Sequence, residues 1–378
     1  MRLRFFVVSL LLAFVLLSGT AFSQTFTGLF DGYYGFNFNK PAITTVPNNM
    51  LRAFDINHQQ FSLNYAELAI EQKAKPVGYR FDVGFGDAAT VVNSSEPAGV
   101  MYQHIQQAYV SVNRGDMTLD FGKFVTPLGA EVIETKDNWN YSRGLLFNYT
   151  VPFYHFGVRA TFAASDKTTI AAYLVNGWND VRDNNKAKAI GLMATLKPTD
   201  KLTLTENYLI GNENPTITGL KLNRRQAFDS IATYEVSKKI SGMANYDYGF
   251  DQAPNFATFP TTALRRRWQG IALYTKFSPN GMDTGLKIVP RYEWFDDKRA
   301  GLSGNMVRLH EGTVTVQYVS KESGTFWTEY RRDFTVCGRA TCTNERIFSL
   351  IKPAGPQPRL NQDTLEFGYT YSFSKEIK

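Results

Sequence analysis

Aromatic or apolar residues alternate strictly with polar ones along much of this chain. In the stretch GLFDGYYGFNFN, every even position from Gly28 to Phe38 is Gly, Phe or Tyr, and Asp31 and Asn37 lie between them. A period of two residues is typical of a β-strand with one apolar and one polar face. The pattern recurs often enough to predict about sixteen strands, or between about 14 and 18. The predicted strands are 25–38, 58–74, 77–88, 103–113, 116–124, 153–163, 168–177, 187–197, 201–210, 224–236, 240–250, 267–277, 285–295, 307–319, 324–336 and 363–373.

The second predicted strand changes phase in the middle. Phe61, Leu63 and Tyr65 share one face, but Ala66 and the apolar residues after it share the other. A single extra residue in one strand of a pair produces this change, so we expect a β-bulge there.

The connections between strands alternate between short and long. Asn113–Asp116 and Ser278–Gly281 are turn sequences, whereas residues 125–152 and 337–362 far exceed the usual hairpin loop. Short turns at one end and long loops at the other are typical of outer-membrane barrels. We therefore predict an all-β fold, a transmembrane antiparallel up-and-down barrel.

The N-terminus indicates export. Arg2 and Arg4 precede an apolar run from Phe5 to Leu17, and small residues follow up to Ser23. This is the pattern of a signal peptide spanning residues 1–23, although an N-terminal membrane anchor is an alternative. The remainder, 24–378, is predicted to be one barrel domain in the bacterial outer membrane. The mean hydropathy of −0.27 and the 29 Phe and 20 Tyr agree with strands rather than helices in lipid.

A barrel of about sixteen strands has a lumen too wide for wall side chains to fill. We therefore expect a water-filled channel, with no plug domain before Thr25. Residues on the polar phase of the strands are candidates for lumen-facing charges. They are Arg80, Asp82, Arg159, Lys287, Arg291, Glu293, Glu329 and Arg331.

The connection from Val125 to Val151 is the longest early connection, and it carries charges of both signs. Its candidate constriction residues are Glu131, Glu134, Lys136, Asp137 and Arg143. Folded inward, it would narrow the channel and set a transverse field that sorts solutes by charge. A solvated external loop is the alternative.

Other features suggest no catalytic chemistry. The chain has four histidines, of which His155 is best placed on a lumen face, and it lacks hydrolase, metalloprotease and phosphate-loop motifs. We therefore expect neither an enzyme nor a cofactor. Cys337 and Cys342 are expected to form a loop disulfide, with a metal site as the alternative.

Charge and position indicate the partners. The net charge of +7 is modest and its basic residues are scattered, which argues against nucleic acid. Arg265–Arg267 is expected at a loop edge that faces solvent or lipopolysaccharide, with an anion filter as the alternative. We also expect outer-membrane lipids around the barrel, the barrel-assembly machinery at the aromatic final strand, and self-association, as trimers, as an option.

Several runs resemble a known family. They are AELAIEQKAKPVGYRFDVGFGD (66–87), QQAYVSVNRGDMTLDFGKFVTPLGAEVIETKDNWNYSRGLLF (106–147), AAYLVNGWND (171–180) and LTLTENYLIGNE (202–213). In these runs the chain is similar to the OmpL-like putative β-barrel porins, the second such family. The resemblance implies a porin-like barrel for passive diffusion of small hydrophilic solutes or ions. A surface or adhesin-type barrel with an occluded lumen is the other reading, and the solute and ion preference stay open.

Overall fold

A computed structural model describes residues 23–377, except 42–47, 98, 100, 184, 215–223, 256–261, 301, 305, 337–346 and 353–354. Within these residues, sixteen antiparallel strands close into one barrel. They are β1 (Gln24–Asn37), β2 (Phe61–Gln72), β3 (Val77–Phe85), β4 (Ile105–Arg114), β5 (Met117–Val125), β6 (Tyr154–Ser165), β7 (Thr168–Val175), β8 (Ala189–Thr199), β9 (Leu202–Gly211), β10 (Arg225–Ser237), β11 (Ile240–Asn255), β12 (Thr262–Phe277), β13 (Gly285–Asp296), β14 (Arg308–Ser320), β15 (Gly324–Thr335) and β18 (Asn361–Ile377). The all-β barrel predicted from alternation is confirmed.

The connections hold the remaining elements. A two-stranded hairpin, β16 (Phe348–Lys352) and β17 (Gly355–Arg359), forms a separate small sheet. Two short helices, α1 (Asp87–Val92) and α2 (Leu145–Tyr149), and two 3₁₀ turns, Met101–Gln103 and Thr135–Asp137, complete the list. No helix in the described part of the chain has the length and apolar character needed to span a membrane.

The barrel is apolar outside and polar inside. On β1, Phe30 is 46% exposed while the adjacent Asp31 is completely buried. Because successive strand residues point to opposite faces, this difference assigns the aromatic phase to the outer surface. Other strands repeat it, with Leu68, Phe121 and Phe367 exposed outside.

Closure of the barrel depends on the first and last strands. They pair continuously from Gln24 with Ile377 to Asn37 with Thr364. The last strand therefore runs beyond its predicted end at Phe373, since its final polar residues still pair with the start of β1.

The predicted bulge in β2 is confirmed. Asp31 lies opposite Tyr65, but the next residue, Gly32, lies opposite Leu63, so Asn64 is the extra residue. Asn64 and Tyr65 are consequently both buried inside the barrel. The Asn64 side chain donates a hydrogen bond of 2.6 Å to Asp31 Oδ2.

The hairpin of β11 and β12 is longer than predicted. Its pairing continues up to Asn255 with Thr262, so Arg265–Arg267 lies within a strand and the expected loop edge is wrong. The two strands stay hydrogen-bonded beyond the region where apolar and polar side chains alternate. The alternation in the sequence therefore ends before the strands do. Cys337 and Cys342 lie outside the described residues.

Candidate functional site

The connection between β5 and β6, residues 126–153, lies inside the barrel, and we call it the inserted loop. Tyr141 Oη donates a 2.8 Å hydrogen bond to Asp31 on β1. Thr150 Oγ1 donates to Asp247 on β11. Both acceptors are inward-facing and buried, so the loop reaches two separated parts of the wall.

The strongest anchors of the inserted loop come from β13 and β15. Glu329 accepts hydrogen bonds from the backbone N–H groups of Tyr141, at 2.8 Å, and Ser142, at 3.1 Å. Arg291 donates to the Ser142 carbonyl at 2.7 Å and to Glu131 at 2.6 Å. Charge-assisted bonds of this kind are stronger than neutral ones, and these lie away from water. The loop is therefore fixed against one side of the lumen.

Tyr141 also needs space at the wall. A Cβ built on Gly368 would come 2.4 Å from the Tyr141 ring. Only glycine leaves this strand position open, so the wall of β18 is shaped to receive the loop.

Arg143 holds the inserted loop together from within. Its guanidinium donates to the carbonyls of Val132, at 2.9 Å, and Tyr141, at 2.6 Å, and also to Ile133. The side chain is buried. It therefore acts inside the loop and presents no charge to a passing solute.

The other predicted loop charges differ in exposure. Lys136 and Asp137 form an exposed pair at 2.5 Å. Glu131 is buried against Arg291. Burial raises the pKa of the Glu134 carboxyl, and the neighbouring Asp137 adds to this effect.

A second connection also enters the lumen, and we call residues 48–58 the first loop. Arg52, which is buried, donates to Asp333 at 3.1 Å and to Thr364 at 2.7 Å, and it pairs with Asp55. Phe54 packs edge-on against Phe147 of the inserted loop, with ring centroids 5.6 Å apart. The two loops therefore occupy adjoining parts of the lumen and contact each other there.

Two predicted wall arginines keep contact with the open lumen. Arg80 on β3 pairs with Asp82 at 2.8 Å, and its side chain is 29% exposed while that of Asp82 is fully buried. Arg159 on β6 pairs with Asp120 at 2.8 Å, with exposures of 21% and 7%. Arg80 also lies 3.6 Å from Glu71 on β2, whose side chain is 39% exposed. The guanidinium is therefore the more exposed member of the Arg159 pair, whereas Arg80 lies between a buried and an exposed carboxylate.

The remaining predicted wall charges are covered. Arg291 bonds to Glu311 at 3.0 Å as well as to the inserted loop. Arg331 pairs with Asp333 at 2.7 Å. Glu293 accepts a hydrogen bond from the backbone of Leu145 in α2. Lys287, Glu293, Glu329 and Arg331 are all buried, and none of these four lines an open passage.

The two loops cover the inner wall unevenly. Inward side chains of β13, β14, β15 and β18 are buried under the two loops, as Glu311, Thr315 and Thr364 illustrate. Between β3 and β10 the long-loop half of the wall is also buried, as Phe124, Tyr173 and Leu209 illustrate. Inward side chains nearer the short turns of these strands stay partly exposed. They include Arg80, Tyr109, Arg159, Thr161, Met193, Thr195, Thr205, Ile231 and Thr233. The exposed part of the inner wall therefore lies in the short-turn half of β3 to β10.

Sequence reasoning missed several of the residues that fill the lumen. Glu311 lies on the inward phase of its strand, so alternation could have found it. Arg52 could not be found in this way, because it comes from a loop without periodicity.

His155 is buried, with its ring nitrogens 3.1 Å from Thr126 Oγ1 and 3.0 Å from the Gly177 carbonyl oxygen, and it contributes polar lining.

Metal ligands do not cluster in the described part of the chain. No group of three or more His, Cys, Asp or Glu side chains there has an arrangement that could hold a metal ion.

Solved structures of outer-membrane channels share this architecture. The outer membrane channel DcaP of Acinetobacter baumannii matches with a TM-score of 0.58 at 11% identity, covering 93% of this chain and 99% of that one. The in-vitro folded, trimer form of OmpT, an outer membrane protein of Vibrio cholerae, matches with a TM-score of 0.57 at 11% identity and the same coverage. At such identities the likeness concerns the fold alone. No curated protein sequence matches the chain.

A closed sixteen-strand barrel, apolar outside and narrowed from within by a loop after its fifth strand, defines the class of porin-type outer-membrane barrels. The chain belongs to the putative beta-barrel porin-2, OmpL-like family, whose model matches residues 23–373. The resemblance noted from the sequence is thereby confirmed, and with it a porin channel as the function.

Proposed function

We propose that this chain forms a water-filled channel through which small hydrophilic solutes or ions diffuse passively across the outer membrane. The observation that carries the proposal is the uneven cover of the inner wall. An occluded surface barrel would bury its inner face throughout, whereas the short-turn half of β3 to β10 stays partly exposed. The family is one of porins, and an occluded barrel is not favoured.

The channel is narrowed by the inserted loop, and the passage runs between this loop and the face that carries Arg80 and Arg159. The Arg159 guanidinium is more exposed than its partner Asp120, whereas Arg80 also lies 3.6 Å from the more exposed Glu71. The positive charge of the passage is therefore assigned to Arg159. Charged groups at a narrow passage sort ions by sign. The channel should accordingly favour anions over cations of the same size.

Reconstitution of the purified mature chain in a planar bilayer tests the function. We expect discrete, reproducible conductance steps, and a reversal potential of anion-selective sign in a salt gradient. A protein that inserts without conducting would contradict the proposal.

The route to the membrane is part of the proposal. Residues 1–23 act as an export signal, and residues 24–378 form one barrel domain inserted by the barrel-assembly machinery into outer-membrane lipid. Mass spectrometry of the protein from outer membranes should find Gln24 as its first residue. The loop cysteines Cys337 and Cys342 join in a disulfide, and neither the lumen nor the loops perform catalysis.

We further infer self-association through the outer face of β9 and β10. Glu206 lies on the outward phase there and accepts a 2.8 Å hydrogen bond from Ser230 on the neighbouring strand. A carboxylate on the lipid face is costly, so a protein partner suits it better than hydrocarbon. The flanking outward residues Ala194 and Ala232 are small enough for a second barrel to approach closely. A homotrimer, the form named for the Vibrio cholerae structure, fits this surface.

A further inference from the structure

The outer face of β12 changes character along its length. From the short-turn end it presents the apolar side chains of Phe277, Leu273 and Ile271, and then Gln269. The next two residues of the same phase are Arg267 and Arg265, and both are exposed. An apolar row that ends in arginines marks the passage from the hydrocarbon to the headgroups of the outer leaflet.

These arginines border a cavity at the rim of the barrel. Its volume is about 340 Å³, and it is lined by Arg265, Arg266, Arg267 and Arg299 together with the ring of Phe250 and the carboxylate of Asp251. Arg299 comes from the connection between β13 and β14 and is exposed. Arg265 and Arg267 lie on the outward phase and Arg266 bonds to Asp251 on the inward phase, so four arginines and one acidic residue border this part of the rim.

The single carboxylate is already neutralised. Asp251 accepts hydrogen bonds from Arg225, at 3.0 Å, and from Arg266, at 2.7 Å and 2.5 Å. No carboxylate among the described residues lies within ion-pairing distance of Arg265, Arg267 or Arg299. The cavity consequently has three arginines without a counter-charge among the described residues.

Two other arginines on the outer face of the same rim are paired. Arg308 lies 3.4 Å from Asp296, and Arg332 lies 3.5 Å from Asp363. Arg265, Arg267 and Arg299 differ from these two in having no such partner among the described residues. The difference indicates an anion that the protein itself does not supply.

We propose that Arg265, Arg267 and Arg299 bind a phosphate group of lipopolysaccharide in the outer leaflet. The planar fork of guanidinium matches phosphate oxygens in pairs, and three such groups suit a dianion. The acyl chains of the same lipid would lie along Ile271 and Leu273, directly below. A lipid-anchored phosphate fits better than a dissolved one, because Arg265 and Arg267 point outward, away from the lumen. The inference stands whether or not the channel conducts.

Lipid binding by the purified full-length mature barrel in detergent tests the site. Bisphosphorylated lipid A, dephosphorylated lipid A and inorganic phosphate are the three probes, titrated by calorimetry. We expect only the bisphosphorylated lipid to bind tightly. The double variant Arg265→Gln with Arg267→Gln should weaken its binding by at least about tenfold, and Arg299→Gln should weaken it further, because each arginine at an anionic surface contributes measurably.

The matched control is the double variant Arg308→Gln with Arg332→Gln, which removes the same charge from the same rim. It should bind the lipid nearly as well as the original protein. Both double variants should keep the circular dichroism spectrum of the original protein, which verifies that each barrel is folded. The inference is overturned if the two doubles lose affinity equally, if dephosphorylated lipid A binds as well, or if inorganic phosphate binds as tightly as the lipid.

Discussion

At the scale of single residues, the asymmetry of the ion pairs decides what a solute meets. Arg80 and Arg159 are more exposed to the lumen than the carboxylates of Asp82 and Asp120. An ion pair whose members were equally exposed would present little net charge. At Arg159 the positive member is the more exposed one, so this part of the wall presents positive charge although the charge is paired. At Arg80 the exposed Glu71 offsets the guanidinium.

Replacement of both arginines should therefore change the selectivity. In the double variant Arg80→Gln with Arg159→Gln, Asp82 and Asp120 lose their partners, and the reversal potential in a salt gradient should shift toward cations. Arg308→Gln, on the outer rim, is the control and should leave the potential unchanged. An unaltered potential in the double variant would place the passage elsewhere.

Asp180 gives the channel mouth a dependence on pH. Burial, reinforced by Glu213, Glu96 and Asp183, raises the pKa of Asp180 to about 7, although Arg225 opposes the shift. The side chain is thus largely neutral below this pH and negative above it. It lies in the connection between β7 and β8, at the long-loop end of the barrel.

A rise from pH 6 to pH 8 should add negative charge at that end and shift the reversal potential toward cations. Asp180→Asn should reduce this shift, because the amide cannot ionise. Reversal potentials recorded at both pH values check the prediction. Equal pH dependence in the variant and the original protein would show that another group titrates.

Individual residues were predictable where alternation assigns a face. Arg80 and Arg159 follow from the period of two. Their exposure did not follow, because it depends on which part of the lumen the loops occupy. The prediction for Arg143 failed for the same reason. Its charge suggested a place in the passage, but its guanidinium donates hydrogen bonds to carbonyls of its own loop.

At the scale of elements, the inserted loop is the part that turns a wide barrel into a narrow passage. Its anchors are buried charges on the wall, above all Arg291 between Glu131 and Glu311. Removal of one member of a buried pair leaves the others without compensation and typically costs about 3–5 kcal/mol.

Arg291→Met should therefore lower the free energy of unfolding by about 3–5 kcal/mol. It should also release the loop and enlarge the single-channel conductance. Lys287→Met is a matched control on the same face of the same strand, because Lys287 has no ion pair among the described residues. Urea unfolding in detergent micelles gives the first quantity, and bilayer recordings give the second. Equal losses of stability in both variants would exclude Arg291 as the anchor.

Strands could be predicted from the sequence because each one must separate lipid from the polar interior, and this requirement acts on every second residue. The insertion of the two loops could not be predicted, because their contacts join residues far apart in the chain. Arg52 and Asp333 are 281 positions apart, and nothing near either residue indicates the other. Strand ends beyond the membrane were missed for a related reason, since pairing there needs no apolar face.

At the scale of the whole molecule, the outer surface is mostly apolar but has a charged exception on β9. Most of it is apolar and suits lipid, with Leu192, Val314 and Phe326 exposed. Glu206, in the middle of β9, is the charged exception on the outward phase. A second copy of the chain would remove this carboxylate from the lipid.

Glu206→Trp should therefore dissociate the trimer, because the large ring would fill the space needed by the neighbouring barrel. Thr328→Trp places the same ring on the exposed outer face of β15 and should leave the trimer intact. Size-exclusion chromatography with light scattering in detergent measures both. A monomeric original protein, or a Glu206→Trp variant that remains trimeric, would contradict this assignment of the interface.

In the proposed channel, a passage stays open past the two loops, beside the short-turn half of β3 to β10. Single-channel recording of the purified mature chain, with and without residues 133–142 of the inserted loop, measures whether it conducts. We expect stable conductance steps for the complete chain and clearly larger steps for the shortened one. A complete chain that does not conduct, or equal steps from both proteins, would overturn this assignment.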